Sequence, residues 1–317
     1  MKKVVVLATG GTIAGAGEPG KNVGYKSGAI EAADLVAAVP GLAQVAQVSV
    51  EQVCNINSDD VTSAIWLRLL SRIKELAVKP DVDGVVIMHG TDTMEETACF
   101  LALTLDVQKP VVLTGAMRPA TAAEPDGPTN LLLAVKVAVG GVTAVAGGTA
   151  SGGRVLLAFA GKVMDGLSAQ KIHANALDAF VGMPVGVGAL PHFELDGVAE
   201  LPKVAVLYFN AEADPAQVAF AAGRSEGIVV AGAGAGEFSE AWIAEIKKCV
   251  SGPGKRVPVV VSTRISNGEV VPEQLLVPGT VAAYALPPAK AAVLLRLALT
   301  QTQNPGSIQK FFKKFVV

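Results

Sequence analysis

The sequence is poor in charge, aromatic residues and cysteine. Asp, Glu, Lys and Arg make up 17% of its 317 residues, and aromatic side chains make up 5%. The 26 basic and 28 acidic residues leave a formal net charge of −2, and no Lys/Arg run is longer than two. The concentrated basic surface that a phosphate backbone demands is missing, which excludes nucleic acid as a partner. Cys54, Cys99 and Cys249 are odd in number, widely spaced and outside any C-x-x-C pattern. They predict neither a disulfide framework nor a zinc cluster, and they suit a reducing compartment. The longest uncharged stretch, residues 137–153, is interrupted by Gly, Thr and Ser. It is shorter than the roughly 20 apolar residues a membrane span needs, so no membrane helix is expected. Lys2 and Lys3 precede only five apolar residues before a Gly-rich turn, too few for the core of a signal peptide. This predicts a cytoplasmic protein, with the periplasm as the alternative if a leader has been removed.

Apolar residues, by contrast, are plentiful. Hydrophobic side chains form 51% of the chain and the mean hydropathy is +0.47, far from the composition of disordered segments. The length corresponds to about two domains, and sparse charge over so apolar a chain suggests contacts between subunits. Short β-branched runs at 4–9, 45–53, 84–88, 110–114 and 155–159 alternate with helical periodicity at 62–76, 94–105 and 130–139. In 62–76, Ile65, Leu69, Ile73 and Leu76 recur at steps of three or four, as one buried helical face requires. Strands that alternate with helices predict a parallel sheet with helices on both faces. The pattern lapses near 187–202 and resumes as a smaller series: strands at 203–207, 227–230 and 257–261, and helices at 216–222, 240–250 and 289–299. The expectation is a larger N-terminal α/β domain (1–190), a linker (191–202) and a smaller C-terminal α/β domain (203–317).

Some motifs mislead. Residues 15–22 nearly satisfy a phosphate-binding loop, but Asn22 stands where Ser or Thr must reach magnesium, and residues 23–28 do not read as the helix that should follow. Ser168-Ala169-Gln170-Lys171 matches S-x-x-K without its companion motifs, which gives the lysine more weight than the serine. His89, His173 and His192 lack metal-ligand spacing and read as packing or surface residues.

Two Gly-Thr turns are more informative. Ala8-Thr9-Gly10-Gly11-Thr12 follows the first strand and His89-Gly90-Thr91-Asp92-Thr93 follows the third. In an open parallel sheet, ligands bind beyond the carboxyl ends of strands, where glycine lets backbone N–H groups approach an oxyanion. Thr12 and Thr91 either cap the segments that follow or act as nucleophiles. A threonine nucleophile needs a group to take its proton, and Lys171 and Tyr25 are the available partners.

The turns extend into longer signatures. Residues 8–15 and 89–98, together with Gly115-Ala116-Met117-Arg118-Pro119, Asp126-Gly127-Pro128-Thr129-Asn130-Leu131 and residues 290–303, resemble bacterial-type L-asparaginases over essentially the whole chain. The resemblance implies hydrolysis of the side-chain amide of L-asparagine, and to some extent L-glutamine, to the acid and ammonia without metal or cofactor. It implies L-aspartate as product and a homotetramer built as a dimer of dimers. Thr12 matches the nucleophile that forms a β-aspartyl ester, and Tyr25 lies on the lid segment, residues 15–27. Thr91, Asp92 and Lys171 match the second cluster. Ser58 and Asp59 match the pair that binds the α-carboxylate and α-ammonium, while Gly11, Gly90 and Ala116 complete the substrate pocket through backbone groups near Thr91 and Ala116.

The chain also departs from the family. Asp59 stands where Gln or Glu is usual, and alternatively serves as an acid ahead of the following helix. Ala235 replaces the Asn of a G-N-G turn, and Leu167 replaces an arginine. The acid that the family draws from a neighbouring subunit has only Glu269 and Glu273 as candidates. Against the asparaginase reading stand a glutaminase or broader ω-amidase, and an amino-acid-binding homologue with weakened catalysis.

Overall fold

The computed structural model describes residues 1–140, 155–183, 190–254 and 256–316. Of the uncharged run 137–153, residues 141–153 lie outside this set, as do 187–189 of the region where the sequence pattern lapses. The chain divides into two compact units, Met1–Met183 and Pro184–Val317.

The first unit is built on a six-stranded sheet in the order β2-β1-β3-β4-β5-β6. Its strands are β1 (Lys3–Gly10), β2 (Gln47–Ile56), β3 (Gly84–Met88), β4 (Val111–Thr114), β5 (Val155–Phe159) and β6 (Lys162–Asp165). Neighbours from β2 through β5 pair in parallel. β6 folds back antiparallel on β5, because only two residues separate them and a parallel return needs a crossover of a dozen or more.

Among the described residues five helices accompany the sheet: α1 (Ala32–Ala37), α2 (Leu42–Val45), α3 (Ser63–Ala77), α4 (Met94–Thr104) and α5 (Gly127–Ala138). Successive strand residues face opposite sides. Val4, Val6, Ala8, Val86, Met88 and Val112 pack with α1, α2 and α5. The intervening Val5, Leu7, Val85 and Ile87 are equally buried, and they require the second helical layer, where α3 and α4 lie against the strands. α3 inserts Trp66, Leu69, Leu70, Ile73 and Leu76, and Trp66 stacks on Phe100 of α4 at 5.1 Å. A hairpin of β7 (Ala169–Lys171) and β8 (Phe180–Gly182) completes the unit.

The second unit has a four-stranded parallel sheet ordered β12-β11-β10-β9, from β9 (Val204–Tyr208), β10 (Gly227–Gly232), β11 (Val259–Thr263) and β12 (Val281–Ala282). Its helices are α6 (Ala216–Arg224), α7 (Glu240–Ser251), α8 (Pro288–Leu299) and α9 (Pro305–Phe312). Trp242 of α7 is fully buried; its ring meets Phe209 edge-on at 5.3 Å and its indole N–H donates to the Ala213 carbonyl. The strands read from periodicity appear within one to three residues of their expected ends. The short helices α1, α2 and α9, β6, the β7–β8 hairpin and β12 were not foreseen: these strands run two to four residues and these helices four to eight, which leaves too few periods to register.

Candidate active site

The site lies at the carboxyl ends of β2, β1 and β3, which are neighbours in the sheet. A cleft of about 240 Å³ is lined by Gly11, Thr12, Tyr25, Ser27, Asn57, Ser58, Asp59, Gly90, Thr91 and Asp92. Eight of the ten residues predicted for the site are therefore among its walls: Gly11, Thr12, Tyr25, Ser58, Asp59, Gly90, Thr91 and Asp92.

Glycine is what allows this convergence. Gly10 and Gly11 have φ of 105° and 80°, conformations that L side chains rarely adopt. A Cβ on Gly11 would sit 2.5 Å from the Gly90 backbone, so the two Gly-Thr turns interlock backbone to backbone. A Cβ on Gly90 would in turn stand 2.8 Å from the Ser58 side chain. Further bonds fix the third wall. The Asp92 N–H donates to Ser58 Oγ at 3.1 Å and the Thr93 hydroxyl donates to the Ser58 carbonyl at 2.6 Å. Ser58 Oγ therefore accepts from the backbone and keeps its own O–H for a ligand.

The two threonines have different partners. Thr12 Oγ1 lies 2.8 Å from the Tyr25 hydroxyl, a pair of neutral groups. The Tyr25 ring packs so closely that a Cβ on Gly15 would approach it to 2.7 Å. The loop carrying Tyr25 is closed by reciprocal Ala16–Lys26 backbone bonds and tied to a neighbouring segment. The Gly17 N–H donates to Thr121 Oγ1 at 3.0 Å, and the Gly20 N–H donates to the Thr121 carbonyl at 2.8 Å. At its far end Asn55 Nδ2 donates to the Gly28 carbonyl at 2.5 Å.

Thr91 belongs to a charged cluster. Lys171 Nζ donates to Thr91 Oγ1 at 2.9 Å and to Asp92 Oδ1 at 2.6 Å. The Lys171 side chain is only 13% exposed, whereas that of Asp92 is 70% exposed. Glu95, in the first turn of α4, accepts the Lys171 N–H at 2.9 Å and so clamps β7 against that helix. Lys171 approaches Thr91 and Asp92 without standing among the cleft walls. Ala116 is buried within the hydrophobic cluster around α5 and is not among the residues that line the cleft.

The misleading motifs resolve in the same region. The loop at 15–22 holds Tyr25 and has no helix after Lys21. Ser168 is buried and its hydroxyl donates to the Asp165 carbonyl, while the lysine three residues on serves Thr91. His89 is wholly buried, and burial lowers its pKa to about 4 against a smaller opposing effect of its bond to the Gly90 carbonyl. His173 caps a turn and His192 pairs with Glu194. Among the described residues no group of three or more His, Cys, Asp or Glu could hold a metal ion. No described helix is long and apolar enough to cross a membrane.

Some contributors escaped sequence reasoning. Asn57 and Ser27 line the cleft, and only their closeness in sequence to Ser58 and Tyr25 hinted at it. Thr121 carries no local signal, because its role arises from a loop a hundred residues away. Leu167 is fully buried, where an apolar side chain is well placed.

The departures in the second unit are described within that unit. Ala235 sits in the turn Gly234-Ala235-Gly236, where Gly234 and Gly236 have positive φ and the Gly234 carbonyl accepts from Thr263 Oγ1 at 2.5 Å. One carboxylate oxygen of Glu269 is buried with no partner among the described residues. Burial, with Glu273 and Glu269 nearby, raises the Tyr284 pKa.

Comparison with known proteins agrees with this architecture. Residues 3–194 match the family model "Asparaginase, N-terminal" and residues 203–312 match "Glutaminase/Asparaginase C-terminal domain". The chain is 38% identical to a probable periplasmic L-asparaginase of Haemophilus influenzae, with 99% of this chain and 93% of that protein covered. It is also 38% identical to L-asparaginase 2 of Escherichia coli, covering 99% and 94%. Identity to a glutaminase-asparaginase of Pseudomonas fluorescens biotype A is 34%, covering 99% and 91%. The crystal structure of a probable cytoplasmic L-asparaginase from Campylobacter jejuni superposes with a TM-score of 0.87 at 37% identity, covering 99% of this chain and 100% of the other. With both family models matched in order and relatives this similar along its full length, the chain belongs to the asparaginase family.

Proposed function

We propose that the protein hydrolyses the side-chain amide of L-asparagine to L-aspartate and ammonia through a Thr12 acyl-enzyme. The observation that carries this is the convergence on one polar cleft of two threonine hydroxyls with different partners, Thr12 with Tyr25 and Thr91 with Lys171 and Asp92.

The substrate's α-carboxylate takes the Ser58 O–H, and its α-ammonium faces Asp59, placing the side-chain amide between the two Gly-Thr turns. Thr12 Oγ1 attacks the amide carbon as its proton passes to the Tyr25 oxygen, and Tyr25 hands its own O–H proton on to the leaving nitrogen. With that one proton gained the C–N bond breaks, so that ammonia departs and a β-aspartyl ester remains. Water attacks the ester, its proton returns to Thr12 Oγ1, and L-aspartate is released. Thr91 is suited to a different task. While Lys171 is paired with Asp92 it is an ammonium, which donates to Thr91 and takes no proton from it. Thr91 therefore orients and protonates, and its hydroxyl guides the leaving ammonia and the incoming water. Backbone N–H groups of the turns hold the negative charge that develops on the carbonyl oxygen.

L-Glutamine is the second substrate. One methylene is worth about 1–3 kcal/mol of discrimination, so the two turnover rates differ by a measurable but bounded ratio. Ammonia release by the purified protein with each amino acid, beside Thr12→Ala and Lys171→Ala, tests the reading. Turnover abolished by both substitutions supports it. A silent wild-type protein that still binds L-aspartate would instead make the chain a binding homologue. We further propose a cytoplasmic dimer of dimers with residues 191–202 as the linker. Cell fractionation, sedimentation velocity and limited proteolysis are the corresponding tests.

A further inference from the structure

One buried group next to the cleft has no part in the reaction just described. His89 directly follows β3 and opens the turn that carries Thr91, and its ring is entirely removed from solvent. Its Nδ1 lies 2.7 Å from the Gly90 carbonyl oxygen, and its Nε2 lies 3.0 Å from Thr97 Oγ1. Thr97, also fully buried, accepts the Trp66 indole N–H at 2.9 Å.

These contacts have a single direction. A carbonyl oxygen only accepts, so Nδ1 carries the proton. Burial keeps the ring neutral, so Nε2 is bare and accepts the Thr97 hydroxyl, while Thr97 Oγ1 accepts from Trp66. The chain Trp66 → Thr97 → His89 → Gly90 carbonyl thus fixes the tautomer from α3 inward. Its last bond constrains the cleft. The peptide joining Gly90 and Thr91 is trans, since no cis bond occurs among the described residues, and in a trans peptide C=O and N–H point in opposite directions. A Gly90 carbonyl held toward the imidazole turns the Thr91 N–H away from it. That N–H has no acceptor among the described residues, although Thr91 is 95% buried, and buried backbone donors are rarely left without one. Gly90 has no side chain to restrict this peptide, so its orientation depends on an external bond.

We propose that His89 is a positioning residue: by clamping the Gly90 carbonyl on the buried side it holds the Thr91 N–H toward the cleft, as a preorganised donor to the oxyanion. The inference rests on the amide-hydrolysis reading for the identity of that oxyanion; the peptide clamp does not depend on it.

Two isosteric substitutions separate the two nitrogens. In His89→Asn the amide occupies the place of Nδ1 and can still donate to Gly90. In His89→Gln the amide occupies the place of Nε2, which keeps the Thr97 contact and loses the Gly90 bond. Removing an oxyanion donor costs about 10²–10³ in kcat. His89→Gln is therefore expected to lose about 100-fold in kcat for L-asparagine with KM within about threefold, whereas His89→Asn stays within about fivefold of wild type. Crystal structures of the two variants should show the 90–91 peptide rotated in His89→Gln and retained in His89→Asn. In the wild-type protein, nitrogen NMR of the ring should report a proton on Nδ1 and no titration from pH 8 to pH 5. Equal kcat in the two variants, an unrotated peptide in His89→Gln, or a wild-type ring protonated on Nε2 would each overturn the proposal. If neither variant folds, the wild-type tautomer decides. If the wild-type protein releases no ammonia, the proposed activity fails, while the crystal structures and the NMR still decide whether the clamp exists.

Discussion

Thr12 and Thr91 lie in similar Gly-Thr turns just beyond two adjacent strands of one sheet and line the same cleft, yet their surroundings differ. Thr12 has a neutral partner, Tyr25, on a loop held by backbone bonds to Thr121 and by Asn55 at its far end. Thr91 has a cationic partner fixed by an ion pair, by Glu95 beneath β7 and by buried surroundings. A hydroxyl that must give up its proton as it forms a bond gains from a partner that can accept one. A hydroxyl that must orient a proton gains from a fixed cationic donor. The division of labour proposed above, Thr12 as nucleophile and Thr91 as proton donor, rests on this difference between a neutral and a cationic partner.

The sharpest way to break this comparison is to delete each hydroxyl's function in turn. Thr12→Ala should reduce kcat by about 10⁴-fold or more; if it retained turnover while Thr91→Ala abolished it, the roles would be reversed. Lys171→Met removes the charge that organises Thr91, with an expected loss of about 10²–10⁴-fold in kcat and folding intact by circular dichroism. Tyr25→Phe removes the oxygen that takes the Thr12 proton and should cost about 10²-fold in kcat, the lower end of the same range. Thr121→Val removes only the acceptor for the Gly17 N–H, and a net hydrogen bond is worth about 0.5–1.5 kcal/mol. We expect KM to rise about two- to tenfold with kcat little changed, as measured by steady-state ammonia release.

The smallest effect on turnover concerns pH and shows up in stability. His89 has a pKa near 4 when folded and about 6.5 when unfolded. Between those values the unfolded chain binds the extra proton, so stability is full above pH 6.5 and declines as pH falls toward 4. The contribution is on the order of 3 kcal/mol. His89→Asn should flatten the melting temperature across this window relative to wild type, and an unchanged slope would assign the acid sensitivity to other groups.

Much of the cleft was legible because it is written in contiguous residues. Glycines at 10, 11 and 90 with threonines at 12 and 91 state a local backbone geometry, and alternating strand and helix patterns place both turns at one edge of a sheet. Glu95, Thr121 and the Trp66–Thr97–His89 chain were not legible, since each links residues from 8 to 104 positions apart and none is a motif by itself. Ala116, expected to act through its backbone, has its side chain in the apolar cluster beside α5, with Ile13 and Leu131 in the same cluster.

The sequence by itself determined the class of fold, the two glycine turns and the inventory of hydroxyls, carboxylates and one lysine from which a site is assembled. These depend on local periodicity and on backbone conformations that only glycine adopts readily. Tertiary structure decided which partner each threonine receives, which histidine is buried and neutral, and where the Tyr25 loop is anchored. Those choices arise from packing between distant segments, where a hydrogen bond gains its strength and its direction from the exclusion of water.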